Sequence, residues 1–279
     1  MQKEDIFQVL NDWNFWQKDI ETGVRRERYL AKCRQILDSD QILVITGPRR
    51  TGKSYIMRQL AKDLAQQNDI AKNRLLLVNF EDPRFSRLNT ELLQNIFAAY
   101  IEFMRPVGTP YLFLDEIQEV EGWEKWVRTM HELKKAKIFI SGSNAKLLSR
   151  ELSTVLTGRH LDVSVWPLSF KEFLQFKDYS ASDKVALNGL WREYVEFGGF
   201  PEIVKQKSDK LESLLRYFED LMEKDLTRRY RVRKTDKIKE LARFYLSNTA
   251  KLTTNASAGK FLGLSTDTTA KFAQYFANA

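Results

Sequence analysis

Along the first 180 residues, short unbroken apolar runs alternate with longer segments whose apolar positions are spaced. Residues 41–46 (QILVIT), 74–80 (RLLLVNF), 110–115 (PYLFLD) and 137–141 (KIFIS) are apolar almost throughout, and 161–166 (LDVSVW) alternates apolar and polar. Runs without alternation predict strands buried on both faces, as in parallel sheets. Between them, 27–37, 55–67, 89–104, 122–135 and 145–156 read as helices; in 55–67 the apolar face is Ile56, Leu60 and Leu64. The pattern predicts an α/β fold, a parallel sheet covered by helices on both faces. A polar stretch at 178–183 (DYSASD) ends it. Downstream only helices are predicted, over 187–197, 209–227, 236–248, 255–262 and 267–277. The expected division is a sheet domain with N-terminal helices over 1–177 and an all-helical region over 178–279.

Composition narrows the class. The 279 residues include 43% hydrophobic, 18 Phe and 6 Trp, enough for a sizeable core, while 29% are charged. No apolar run approaches the length of about 18 residues that a membrane span needs. The first twenty residues are charged and aromatic, which predicts no secretory signal. Cys33 is the only cysteine, and His131 and His160 are the only histidines. A disulfide framework and a zinc site of Cys and His are thereby excluded, and a cytoplasmic setting is expected. The net charge of +8 is uneven: residues 201–279 hold 16 Lys and Arg against 10 Asp and Glu. Such a basic region suits nucleic acid, an acidic partner or a solvated helix face, and charge alone leaves the three open.

Chemistry enters at the end of the first strand. Gly47-Pro48-Arg49-Arg50-Thr51-Gly52-Lys53-Ser54 is a complete phosphate-binding loop, placed between a buried strand and a helix. Glycines at both ends let the backbone curl so that its N–H groups face a phosphate. Lys53 reaches the β/γ oxygens, Ser54 offers a hydroxyl to Mg²⁺, and the helix opening at Tyr55 points its positive end at the anion. Arg49 and Arg50 lie within the loop and are candidates for phosphate, solvent or a partner protein. The fold expected is therefore that of a P-loop NTPase.

The ends of the other strands carry further candidates. Asp115 and Glu116 follow Leu112-Phe113-Leu114; there Asp115 can hold Mg²⁺ and Glu116 can polarise the attacking water. After 138–140 comes Ser141-Gly142-Ser143-Asn144, in which Asn144, or Ser143 as second choice, can orient that water or sense the γ-phosphate; the plain alternative is a helix cap. Arg159, in Thr157-Gly158-Arg159, can stabilise γ-phosphate charge from this chain or a neighbouring one. Asn79 to Arg84 (NFEDPR) reads mainly as a turn, with a weaker role near the metal. Phe197-Gly198-Gly199-Phe200-Pro201 is a rigid turn that can cover the nucleotide base or serve as a linker.

These features in this order resemble the AAA-type P-loop ATPases of bacteria and archaea, nearest to a prokaryotic group related to the signal-transducing (STAND-like) ATPases. The resemblance rests on GPRRTGKS, NFEDPR, LFLDEIQ, ISGSNAKLL, LTGRHLDVSVWPLSFKEF and FGGFP, and covers roughly residues 20–275. It implies a sheet in which the Asn144 strand separates the Lys53 strand from the Asp115 strand. It also implies ATP rather than GTP, Asn144 as phosphate sensor, Arg159 as arginine contact and Pro201 as a nucleotide-proximal turn. Such ATPases continue into a helical segment, a winged helix and a C-terminal domain of uncertain role. In the tail, 254–276 is similar to a helix-turn-helix, though its second helix has few basic residues beyond Lys271. The sequence reaches Ala279 before any wing, so a fragment of a longer protein is expected, with Phe272, Tyr275 and Phe276 lacking their cover.

The leading functional expectation is an ATPase that couples ATP binding and hydrolysis to domain movement. The alternative is a nucleotide-gated switch with little hydrolysis, associated with a protein partner or with DNA; a kinase is a more distant third. Monomer, dimer and ring all remain open.

Overall fold

The apolar runs become strands because each has a helical layer to bury against on either side. The computed structural model describes residues 1–37, 39–66, 70–142, 156, 158–180 and 184–278. Strands β1 (Ile42–Thr46), β2 (Leu75–Asn79), β3 (Tyr111–Asp115), β4 (Lys137–Gly142) and β5 (His160–Ser164) form one parallel sheet in the order β2-β3-β4-β1-β5. β4 thus lies between β1 and β3, as the family resemblance implied. Successive side chains alternate between two cores. Ile42, Val44, Leu76, Val78, Leu112, Leu114, Ile138 and Ile140 face one way, onto α1 (Lys3–Trp13), α4 (Thr90–Met104) and α5 (Trp123–Glu132). Leu43, Ile45, Leu75, Leu77, Phe113, Phe139 and Val163 face the other, onto α2 (Glu27–Leu37) and α3 (Lys53–Ala65). Burial on both faces is why polar alternation is missing from the central strands.

β2 is an edge strand whose outward groups are met by side chains. Asn14 donates to the Leu77 carbonyl at 2.9 Å and accepts from the Leu77 N–H at 2.7 Å, and the Trp16 indole donates to the Leu75 carbonyl at 2.8 Å.

Two compact units part between Lys205 and Gln206. The change of composition near 178 is a different feature. Helices α6 (Phe170–Phe176), α7 (Lys184–Phe197) and α8 (Pro201–Lys205) share a small core of Leu168, Phe173 and Val204, flanked by Leu190 and Tyr194. That packing keeps them with the sheet.

The second unit is all helical. α9 (Lys210–Asp220) continues into π-helical turns over Leu221–Arg228, followed by α10 (Thr235–Ser247), α11 (Asn255–Leu262) and α12 (Thr266–Asn278). Met222, Leu226, Ile238, Leu241, Leu262 and Phe272 form its core. The expectation that Phe272, Tyr275 and Phe276 lack cover is corrected here. Phe272 is buried, Tyr230 stacks on Tyr275 with centroids 3.7 Å apart, and Tyr245 meets Phe276 edge-on at 6.1 Å. The helix expected over 145–156 falls almost wholly outside the described residues.

Candidate nucleotide site

In an open parallel sheet, ligands bind beyond the carboxyl ends of the strands. Thr46, Asn79, Asp115 and Gly142 end their strands on that edge, and the loop 47–52 leaves β1 there to enter α3 at Lys53. Gly47 has φ 147°, and a Cβ on it would stand 2.1 Å from the Val165 carbonyl oxygen, so no side chain fits. Arg50 (φ 65°) and Gly52 (φ 94°) also take positive φ. Thr51 is buried and donates its hydroxyl to the Pro48 carbonyl at 2.9 Å, closing the curl.

The charged groups converge at its centre. Lys53 donates to the Gly47 and Pro48 carbonyls at 3.1 Å each and stands 3.6 Å from a Glu116 oxygen, both side chains being buried. Burial pushes the Glu116 carboxyl above its ordinary pKa; Lys53 opposes that rise and Asp115 adds to it. Glu116 itself sits in a left-handed conformation at φ 54°, a strained geometry for a non-glycine residue. Gln118 donates its amide to the Glu116 carboxylate, while its own Oε1 is buried without a partner. Asp115, on the last position of β3, is also buried.

Pro201 opens α8 with its Cγ 3.8 Å from where a Cβ on Gly52 would be. It is placed there by Gly199, whose carbonyl accepts from the Leu168 N–H at 2.6 Å and whose missing Cβ would lie 2.2 Å from the Leu168 oxygen. Arg49 pairs with Glu81 at 2.9 Å and Arg50 with Glu202 at 3.4 Å, so both loop arginines face carboxylates of their own unit. Tyr55 lies half-exposed against Gly23. Ser54, Arg58, Asn79 and Asp115 line a cleft beside the loop, with Trp13 on its rim. Within 79–84 the geometry is that of a turn: Asn79 accepts from the Glu81 N–H, and Asp82 is held by Arg84 at 2.7 Å and the Trp13 indole at 2.8 Å.

One expected residue is not brought to this cluster. Arg159 stands at the amino end of β5, where its carbonyl accepts from the Ile42 N–H at 2.8 Å and its guanidinium meets Glu132 at 3.2 Å. Four strand steps separate Ile42 from Thr46, roughly 13 Å before the loop even begins. In its own chain Arg159 is therefore on the wrong end of the sheet for the loop. Asn144, like Ser143, lies outside the described residues.

Three contributors went unread in the sequence. Ser141, fully buried on β4, donates to Asp115 and accepts from the Glu116 N–H at 3.3 Å, so one hydroxyl orients both acidic residues. Its signal was its position, the first polar residue after 138–140. Gln118 and the buried pair Arg26–Glu172, at 2.8 Å, are the others. Ser169-x-x-Glu172 ahead of an apolar helix is a capping-box pattern that was there to be seen; Arg26 had no local signal.

The donors suit Mg²⁺ with a nucleoside triphosphate. A hydroxyl at a helix N-terminus (Ser54) and a buried carboxylate (Asp115) line one cleft. Lys53, positive-φ backbone and the open face of Gly52 stand beside it. Among the described residues, no group of His, Cys, Asp and Glu forms a metal site by itself. Nor is any helix long and apolar enough to cross a membrane.

Comparison with known proteins bears on the fold and the domain. Residues 39–174 match the family model of an AAA domain, and residues 188–279 match a domain of unknown function. An uncharacterized protein of Haemophilus influenzae is 36% identical over 232 residues, 82% of this chain and 57% of that protein. An uncharacterized protein of Methanocaldococcus jannaschii is 35% identical over 228 residues, 76% of this chain and 49% of that protein. The chain spans about half the length of these curated relatives. Among solved structures, a Walker-type ATPase of Pyrococcus abyssi superposes with a TM-score of 0.51 at 15% identity, covering 92% of each chain, which bears on the fold alone. Residues 39–174 thus resemble an AAA domain, on the α/β fold of a P-loop NTPase.

Proposed function

We propose, starting from an AAA-type P-loop domain, that this chain binds ATP with Mg²⁺ and hydrolyses it to drive or gate a movement of its helical region. The observation that carries the reading is the buried cluster of Lys53, Asp115 and Glu116 at the strand ends, with Lys53 and Glu116 3.6 Å apart. Backbone N–H groups of 47–54 bind the phosphates, with Lys53 against the β/γ oxygens. Ser54 and Asp115 would hold Mg²⁺, which would neutralise charge developing on the β- and γ-phosphates. Glu116 accepts the proton of the attacking water, and burial, which raises its proton affinity, fits it for that work. Pro201, over Gly52, borders the nucleotide. Asn144 senses the γ-phosphate. A part for Arg159 in hydrolysis requires a second copy of the chain, which makes an oligomer the active form in that case.

One observation favours the switch reading. The Glu116 carboxylate is engaged by Lys53 and Gln118, contacts that compete with its taking a proton. A protein whose Glu116 is released only by a partner, protein or DNA, turns over slowly alone. Phosphate release from Mg-ATP by the wild type and by Glu116→Gln, with nucleotide affinity measured alongside, separates the readings. An ATPase shows turnover in the wild type, and binding with at least a 100-fold lower rate in the variant. Tight binding without turnover in both leaves the switch, or an ATPase whose site a partner completes. No binding of Mg-ATP by the wild type refutes both.

A further inference from the structure

Arg26 is 3% exposed and spends its whole guanidinium beneath the phosphate loop. Nε donates to Glu172 at 2.8 Å, Nη1 to the Thr51 carbonyl at 2.8 Å and Nη2 to the Trp166 carbonyl at 3.0 Å. The guanidinium also lies 4.5 Å from the Tyr29 ring centroid, and the Arg26 N–H donates to Gln59 at 3.2 Å. Glu172 accepts in addition from the Ser169 N–H at 3.0 Å and hydroxyl at 2.9 Å, the box that starts α6. Burying an ion pair seldom stabilises a fold more than apolar residues of equal volume. A different service has to account for this one.

The Thr51 carbonyl supplies it. A trans peptide is planar, so its C=O and the following N–H point in opposite directions. With the Thr51 oxygen bonded to Arg26, the Gly52 N–H is aimed away from Arg26. On Gly52 a Cβ would meet nothing nearer than Pro201 Cγ at 3.8 Å, so that residue has open space for a ligand. Only a donor with forked geometry holds Thr51, Trp166 and Glu172 at once.

We infer that Arg26, held in place by Glu172, is a positioning residue that fixes the Thr51–Gly52 peptide for phosphate binding. The inference rests on the loop binding a nucleoside triphosphate. Through Glu172 it also ties the loop to the first turn of α6.

The test uses the whole chain, with Kd for Mg-ATP, Mg-ADP and adenosine, and a melting curve for each variant. Arg26→Lys keeps the charge and loses the fork. The double variant Arg26→Met with Glu172→Met removes both buried charges together and avoids stranding one. Expected for each is a Kd for Mg-ATP and Mg-ADP raised tenfold or more, with adenosine affinity within twofold of wild type, because adenosine does not use the loop amides. Glu172→Gln, which leaves Arg26 a neutral acceptor, falls between. If the double variant fails to fold, Arg26→Lys and Glu172→Gln carry the decision. Mg-ATP binding within twofold of wild type in Arg26→Lys overturns the inference, as does an equal loss for adenosine, the mark of general loosening. Absence of Mg-ATP binding in the wild type removes the functional reading itself and this inference with it.

Discussion

Replacing Ser141 by Ala removes one oxygen atom and tests how the acidic pair is held. The hydroxyl donates to the Asp115 carboxylate and accepts from the Glu116 N–H at 3.3 Å. A hydrogen bond to a charged group contributes about 1.5–3 kcal/mol, and a long one to a backbone N–H much less. Asp115 is 9% exposed, so water recovers only part of the lost interaction. The expected loss is about 2 kcal/mol. For a unit of this size that lowers the melting temperature by about 4–8 °C. All six tryptophans, at 13, 16, 123, 126, 166 and 191, precede residue 206, so selectively excited tryptophan fluorescence follows the sheet unit. Ser164→Ala is the control, because on the outer strand β5 its hydroxyl, among the described residues, meets that of Thr46 at 3.2 Å. It is expected to cost well under about 1 kcal/mol. A Ser141→Ala melt within 2 °C of wild type, or no lower than Ser164→Ala, refutes the claim that this hydroxyl organises Asp115 and Glu116.

Gly199→Ala puts a Cβ 2.2 Å from the Leu168 oxygen, a backbone atom that cannot rotate aside. Overpacking of this kind costs about 1–3 kcal/mol, and the displaced turn carries Pro201 away from Gly52. A lower melting temperature together with weaker Mg-ATP binding is expected, and unchanged binding by calorimetry counts against Pro201 as part of the site. Asp82 is held well below the ordinary carboxylate pKa, chiefly by Arg84 and, against the cost of burial, by the Trp13 indole. Its stabilisation is present above the unfolded pKa of about 3.9 and is lost as pH falls through the lower folded value. Asp82→Asn is therefore expected to be less stable than wild type at pH 7, with the two urea-unfolding curves converging in acid. Parallel curves at all pH values would show that Asp82 is not so placed.

What the sequence disclosed was local. The loop 47–54, its strand and its helix are consecutive, and their physical constraint is written in adjacent letters. Strand existence followed likewise from unbroken apolar runs, because burial on both faces leaves no polar position. Strand order did not follow from the runs. That β4 separates β1 from β3 came only from resemblance, since pairing such as Leu43 with Phe139 joins residues far apart in sequence. The same distance hid Arg26–Glu172, 146 residues apart. Whether Arg159 serves its own chain or a neighbouring one was hidden for a related reason. A sequence shows that an arginine precedes a strand, but the end of the sheet it occupies depends on strand direction, and β5 runs parallel to β1.

The side-chain closure of β2 bears on how copies of this chain can meet. An unpaired strand edge is a template for any extended backbone that arrives. Here Asn14 and Trp16 already occupy the Leu75 carbonyl and both polar groups of Leu77. A sixth strand from another molecule has to evict an amide and an indole before its first bond forms. The sheet is thereby finite along that edge without a covering strand.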